Sequence, residues 1–216
     1  MSRAPATREP RLMMRPDAPP VVLASRSAAR ARLLAAAGIS VEVATPAVDE
    51  TALKEGMRAE GAEPADVAVA LAELKARRAG PGCAPDALVI GADQLLTVAG
   101  RWLDKPASRQ EARDQLLALA GRRHELWSAA VVVRGDERIW HHVAEARLWM
   151  RELSCAFVDR YLDLVGQAAL DSVGAYHLEG LGAQLLARVQ GDHFVVQGLP
   201  LLPLLEFLRE RGVLER

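Results

Sequence analysis

Cysteine is scarce in this chain of 216 residues, with only Cys83 and Cys155 present. The two make no C-x-x-C pair and suggest no disulfide framework, which excludes a stapled secreted scaffold and points to a reduced, cytoplasmic setting. No apolar run approaches the roughly 20 residues needed to span a bilayer. Neither sign of charge dominates, since the formal net charge is -1. That balance argues against a surface built to coat nucleic acid and leaves room for a local basic pocket. The G-x-x-x-x-G-K-[ST] signature is absent, which removes P-loop chemistry, and the glycines of 174–182 have neither the spacing nor the context of a dinucleotide fingerprint. There are no internal repeats. His141 and His142 are adjacent on an expected strand, so they face opposite sides and cannot share a metal ion.

Half of the residues are hydrophobic and a quarter charged, the mixture of a globular protein with a proper core, as one domain or two small lobes. The first 20 residues hold Arg3, Arg8, Arg11 and Arg15 among five prolines. Without the apolar centre of a signal peptide, residues 1–20 read as a disordered tail, with Met13-Met14 as an alternative start, ahead of a domain over 21–216.

Within that domain Val21 to Leu23 form a buried strand, and Ala28 onward is helix-forming sequence. Val41 and Val43 mark a short strand, followed by a polar stretch from Asp49 to Glu63. Pro64 opens a helix with Val67, Leu71 and Leu74 on one face, ending near Gly80. Ala87 to Ile90 is an apolar strand ending at Gly91-Ala92-Asp93, and a hairpin turns at Ala99-Gly100. Ser108 and Glu111 form a capping box ahead of a helix buried through Ala112, Leu116 and Leu119. Two long strands meet at Gly135-Asp136, Ser154 caps another helix, short strands fall near Leu185–Gln190 and Phe194–Gln197, and a last helix starts at Pro200. Early alternation of strands and helices with later antiparallel pairing makes the class α/β, with a mixed sheet and flanking helices.

Chemistry concentrates in few places. Ser25 and Ser27 put hydroxyls at a strand-to-helix turn, where free backbone N–H groups hold phosphate, and Arg30 adds a fixed positive charge. The plainer reading is a Ser27 helix cap beside a solvated arginine. Asp93 follows an apolar strand, where ligands bind in open α/β folds, and Gly91 removes bulk beside it; an aspartate bonding its own turn is the alternative. Asp49-Glu50 supply a second acidic point, which with Asp93 could hold Mg²⁺ through oxygen ligands. Lys75 and Lys105 are candidate phosphate contacts, Lys105 being stiffened by Pro106. The tract Gly174 to Ala183 holds either structural glycines at bulges or backbone that approaches a ligand, with Glu179 aimed inward. Cys83 and Cys155 have no nucleophile setting.

In order along the chain, these segments resemble the Maf family of nucleotide pyrophosphatases. The resemblance rests on Leu23-Ala24-Ser25-x-Ser27 with Arg30, Val48-Asp49-Glu50, Leu71-Ala72-x-x-Lys75-Ala76 and Ile90-Gly91-Ala92-Asp93. It continues through Lys105-Pro106, Gly174-Ala175-Tyr176, Glu179-Gly180-x-Gly182, Gly191-Asp192 and Gly198-Leu199-Pro200-Leu201. It implies two lobes around a nucleotide cleft, as in inosine triphosphate pyrophosphatases. The implied reaction cleaves a nucleoside triphosphate to a monophosphate and pyrophosphate. A divalent cation (Mg²⁺ or Mn²⁺) and a homodimer are implied too. Asp93 would be the general base or, with Glu50, a metal ligand, while Ser25, Ser27, Arg30, Lys75 and Lys105 would neutralise the triphosphate.

Three positions bear on the base. The thymidine- and uridine-triphosphate branch has Pro-Arg-Arg where this chain has Ala28-Ala29-Arg30, Thr in place of Gln94 and Gln in place of Glu179. Gln94 and Glu179 resemble the 7-methyl-GTP branch, whereas Ala29 replaces the large aromatic usual there. A carboxylate accepts from both donors on guanine's Watson–Crick edge and complements the positive charge of 7-methylguanine. The expectation is therefore a pyrophosphatase leaning to 7-methyl-GTP. The alternatives are a dTTP/UTP enzyme, an ITP/XTP house-cleaning enzyme, and a non-catalytic nucleotide-binding regulator of cell division.

Overall fold

The computed structural model describes residues 13–215. One seven-stranded mixed sheet organises the molecule. Its strands are β1 (Val21–Ala24), β2 (Glu42–Ala44), β3 (Leu88–Val98), β4 (Arg101–Leu103), β5 (Arg123–Arg134), β6 (Glu137–Met150) and β7 (Leu186–Gln190). They run in the order β2-β1-β3-β5-β6-β7, with β4 paired to β3. β1 is parallel to both β2 and β3, and the remaining pairs are antiparallel. A strand with parallel neighbours on both sides is covered on both faces, so all of Val21–Ala24 is buried.

The helices are α1 (Ala28–Ala36), α2 (Glu50–Ala59), α3 (Pro64–Ala79), α4 (Arg109–Leu119), α5 (Cys155–Val165), α6 (His193–Val196) and α7 (Leu201–Glu210). The first half of β3 and the second half of β5 pack through Leu88, Ile90, Ala130 and Val132 on Leu34 of α1 and Leu204 and Phe207 of α7. The other halves of these strands pack through Leu96 and Leu126 on Leu116 of α4 and Val158 of α5. On the opposite face of the first half, Ala68, Ala72 and Ala76 of α3 lie on Val22, Val89 and Val131. The two lobes are thus the two ends of the same long strands. Between them the cross-strand pairs are Asp93 with Ala129 and Gln94 with Ser128. Polar side chains interrupt the apolar faces there, and the cleft opens at that line.

Four expectations change. Asp93 lies in the middle of β3, not beyond its end, because β5 pairs with β3 continuously from Val89 to Thr97. The polar stretch after Asp49 is α2: Asp49 caps it by accepting from the Ala52 N–H at 3.0 Å, and Leu53 and Met57 pack on Val67 and Leu71. Phe194–Gln197 is not a strand. The Asp192 carboxylate accepts from the N–H groups of Phe194 (2.6 Å) and Val195 (3.4 Å), turning the chain into α6. Residues 13–20 of the expected disordered tail are docked on the domain. The Met13 N–H donates to Gly38 O at 3.0 Å, the Arg15 N–H to Val213 O at 2.9 Å, and Met14 and Ala18 pack on the core. Residues 1–12 of that tail lie outside the described residues.

Candidate active site

Side chains from both lobes line a cavity of about 430 Å³ in the cleft. α1 supplies its phosphate-friendly wall. The Ser25 hydroxyl accepts from the Ser27 N–H at 3.2 Å, and the Ser27 hydroxyl caps α1 by accepting from the Arg30 N–H at 3.4 Å. The cap reading of Ser27 and its place in the cavity therefore both hold.

Arg30 is not the freely solvated arginine of the plainer reading. Its guanidinium is buried and donates to Gly198 O (2.8 Å), Ser25 Oγ (3.1 Å) and Ala92 O (2.9 Å). It ties α1 to β3 and to the segment ahead of α7 while its charge lines the cavity. Burial pushes the guanidinium below its ordinary value, opposed by the negative charges of Asp93 and Glu50.

The floor is made by one close approach. A Cβ on Gly91 would overlap the carbonyl oxygen of Ala72, so only glycine lets α3 sit this deep on β3. Lys75 lies one helical turn beyond Ala72, and Asp93 two residues beyond Gly91 on the same face of β3. Lys75 Nζ consequently donates to Asp93 Oδ1 at 2.5 Å and lies 3.1 Å from Glu50 Oε1. Asp93 Oδ2 is buried and has no hydrogen-bond partner. An unpaired buried carboxylate oxygen is an acceptor open to a ligand.

Lys105 joins from the loop after β4. Burial pushes its ammonium below the ordinary lysine value, and the nearby cations Arg30 and Lys75 push the same way, against Asp171 and Glu50. Crowded cations beside one unsatisfied carboxylate oxygen describe a pocket suited to a polyanion.

The specificity candidates also reach the cavity. The Gln94 amide nitrogen is 3.0 Å from Ser128 Oγ and 3.0 and 3.1 Å from the carbonyls of Val195 and Val196. Its donors strap α6 to the sheet, a task the sequence reading did not assign. Glu179 is half-exposed, with Oε1 3.5 Å from Arg32 Nη2 and 4.0 Å from His177 Nδ1. Ala29 and Glu179 line both this cavity and a neighbouring one of about 470 Å³.

Sequence reasoning missed Lys54, Asp104, Asp171 and His177 on the cavity wall. Lys54, paired to Asp104 at 2.6 Å, sits four residues after Glu50. Helical spacing would have exposed it had Asp49 been read as a cap. His141 and His142 occupy consecutive register positions on β6, on opposite faces of the sheet, and both cysteines are free. Among the described residues there is no group of three or more His, Cys, Asp or Glu placed to hold a metal ion, and no helix is long and apolar enough to cross a membrane.

A mixed α/β sheet split into two lobes, with a helix N-terminus, lysines and two carboxylates converging in the cleft, defines the class of phosphate-handling α/β proteins. The particular family follows from comparison: the chain belongs to the Maf-like proteins, whose family model matches residues 20–211. It is 51% identical over 196 residues to the nucleoside triphosphate pyrophosphatase of Rhodospirillum rubrum, covering 91% of this chain and 96% of that protein. It is 56% identical over 193 residues to the protein of the same name from Paramagnetospirillum magneticum, covering 89% and 99%. To the 7-methyl-GTP pyrophosphatase of Rhizobium meliloti it is 49% identical over 197 residues, covering 91% and 98%.

Proposed function

We propose that this protein hydrolyses a nucleoside triphosphate between its α and β phosphates, releasing a nucleoside monophosphate and pyrophosphate, with 7-methyl-GTP the favoured substrate. The observation that carries the reading is the unpartnered, buried Asp93 Oδ2 beside Lys75 and Glu50 on the floor of a cation-lined cavity.

The triphosphate lies along Ser25, Ser27 and Arg30, with α1 presenting its free N–H groups. Asp93 Oδ2 accepts a proton from the attacking water as the water oxygen bonds to the α phosphorus. The bond from that phosphorus to the bridging oxygen breaks, and the electron pair leaves with pyrophosphate. Lys75 and Lys105 stabilise the charge that builds on the departing oxygens. The two carboxylates, Glu50 and Asp93, are an all-oxygen set suited to a hard divalent cation, with the phosphates supplying further oxygens. Such a cation, when bound, would lower the pKa of water and neutralise phosphate charge.

Glu179 supports the guanine reading, since its carboxylate can accept two N–H donors from a guanine edge while uracil and thymine offer one. The names of two relatives point the same way. The protein is proposed to act as a cytoplasmic homodimer, which light scattering of purified protein would check. Turnover of 7-methyl-GTP, GTP, dTTP, UTP, ITP and XTP by purified protein with Mg²⁺ or Mn²⁺ tests the activity. Dominance of dTTP and UTP would remove Glu179 from its role. Asp93→Asn should lower kcat by about 10²–10⁴ while nucleotide binding survives; a variant that still turns over at the parent rate removes Asp93 as the base.

A further inference from the structure

Among the described residues, two that are not glycine have a positive φ: Ala99 at +47° and Ala175 at +62°. Ala99 is exposed at the tip of the β3–β4 hairpin, where tight turns require that conformation. Ala175 is wholly buried and no hairpin explains it. A side chain held in the left-handed region is strained, and it persists only where surrounding contacts enforce it.

The Ala175 N–H closes a local turn by donating to Ser172 O at 3.2 Å, and two residues outside the phosphate machinery hold that turn from the core. Tyr161, on α5, donates its buried hydroxyl to the Ala175 carbonyl at 3.2 Å. His124, on β5 and fully buried, has Nε2 2.6 Å from the hydroxyl of Tyr176, and the two rings meet edge to face at 5.7 Å. The chain then leads directly to His177 and Glu179, both on the cavity wall. Beyond them the loop closes on itself, because the Gly180 N–H donates to His177 O at 3.2 Å. The direction in which Glu179 enters the cleft is therefore set at Ala175 and Tyr176.

We propose that Tyr161 and His124 are positioning residues that hold the Ala175–Tyr176 bend and so fix the register in which the 177–179 segment meets the nucleobase. The inference rests on the activity proposed above and adds the device that sets its base selectivity. The hydrogen bonds of these two residues go to Tyr176 and Ala175, not to Asp93 or Lys75, so their loss alters which base is accepted and leaves the hydrolytic floor in place.

The test measures kcat and KM for 7-methyl-GTP and UTP on the parent protein, Tyr161→Phe, His124→Gln and the double variant Tyr161→Phe/Ala175→Gly. Circular dichroism melting identifies the folded variants, and the outcome is read on those. Each single variant should lower the ratio of kcat/KM between the two nucleotides by about fivefold, the effect of one lost neutral hydrogen bond, chiefly through KM. Glycine adopts the left-handed conformation without strain, so adding Ala175→Gly should restore part of the ratio lost in Tyr161→Phe. A merely structural tyrosine would lower the melting temperature and leave the ratio alone. Folded single variants with an unchanged ratio, or a double variant no more selective than Tyr161→Phe, overturn the positioning role alone. A parent protein that cleaves none of the nucleotides overturns this inference together with the activity.

Discussion

Lys75 holds Asp93 and Glu50 at once, at 2.5 and 3.1 Å. One ammonium on α3 thereby joins a carboxylate in mid-strand to a carboxylate in the first turn of α2. The lysine and the aspartate are nearly enclosed, with side-chain exposures of 12% and 7%. Replacing Lys75 by Met leaves two facing carboxylates without their shared partner. We expect that change to cost about 3 kcal/mol, since it strands a buried charge, and to lower turnover at least as far as Asp93→Asn does. Urea unfolding of the two variants should separate them. Asp93→Asn keeps an acceptor for Lys75 and should lose much less stability.

Gly91→Ala tests the close approach of α3 to β3. The new methyl group would overlap Ala72 O, a backbone atom that cannot swing aside, so helix and strand must move apart. Destabilisation of about 3 kcal/mol is expected, at the upper end of ordinary overpacking. The separation would also lengthen the Lys75–Asp93 contact, so activity should fall even where the variant remains folded. A Gly91→Ala protein with the parent's melting temperature would show that the approach is not tight.

Alkaline pH should weaken substrate binding through Lys105. Its ammonium is held below the ordinary lysine value by burial and then by Arg30 and Lys75, so in the free protein it loses its proton earlier than a solvated lysine. A bound triphosphate favours the charged form. KM should therefore rise with pH as the free enzyme passes through that lowered value. Lys105→Arg should flatten the rise, because a guanidinium keeps its proton throughout. The check is a KM profile of both proteins across the alkaline range.

Acid should destabilise the fold through His124. Burial pushes this imidazole down to about 4 from an ordinary 6.5. Between those values the unfolded chain holds the extra proton, so stability is full above about pH 6.5 and declines as pH falls toward 4. The decline attributable to His124 is about 3 kcal/mol over that window. His124→Gln should start less stable at pH 7 and show a shallower loss on acidification, read from urea midpoints at pH 7 and pH 5.

Much of the site was legible because its pieces are local. Ser25, Ser27 and Arg30 fall within one strand-to-helix turn, and Gly91 precedes Asp93 by two residues on one strand. Ser25, Ser27, Ala29, Arg30, Glu50, Lys75, Asp93, Gln94, Lys105 and Glu179 all line the same cleft. What failed was also local in cause. Asp49 opens what reads as a polar stretch, and Asp192 carries no structural expectation at all, whereas each caps a helix; with α2 unread, Lys54 was lost. Apolar Phe194-Val195-Val196 matched strand composition, but two N–H groups bonded to one carboxylate outweighed that preference.

The amino-acid sequence by itself determined most of the elements, α2 and α6 excepted, and the inventory: buried strands from continuous apolar runs, helices from their caps and stripes, and the charges available for phosphate. Only the tertiary structure decided which of those charges meet. Arg30 is bound to the carbonyl of a residue 168 positions away. The side chain of Lys75 reaches Asp93 because a glycine lets α3 press onto β3. Such contacts depend on strand register and on the depth of helix packing, which are settled when the whole core closes and are written in no single segment.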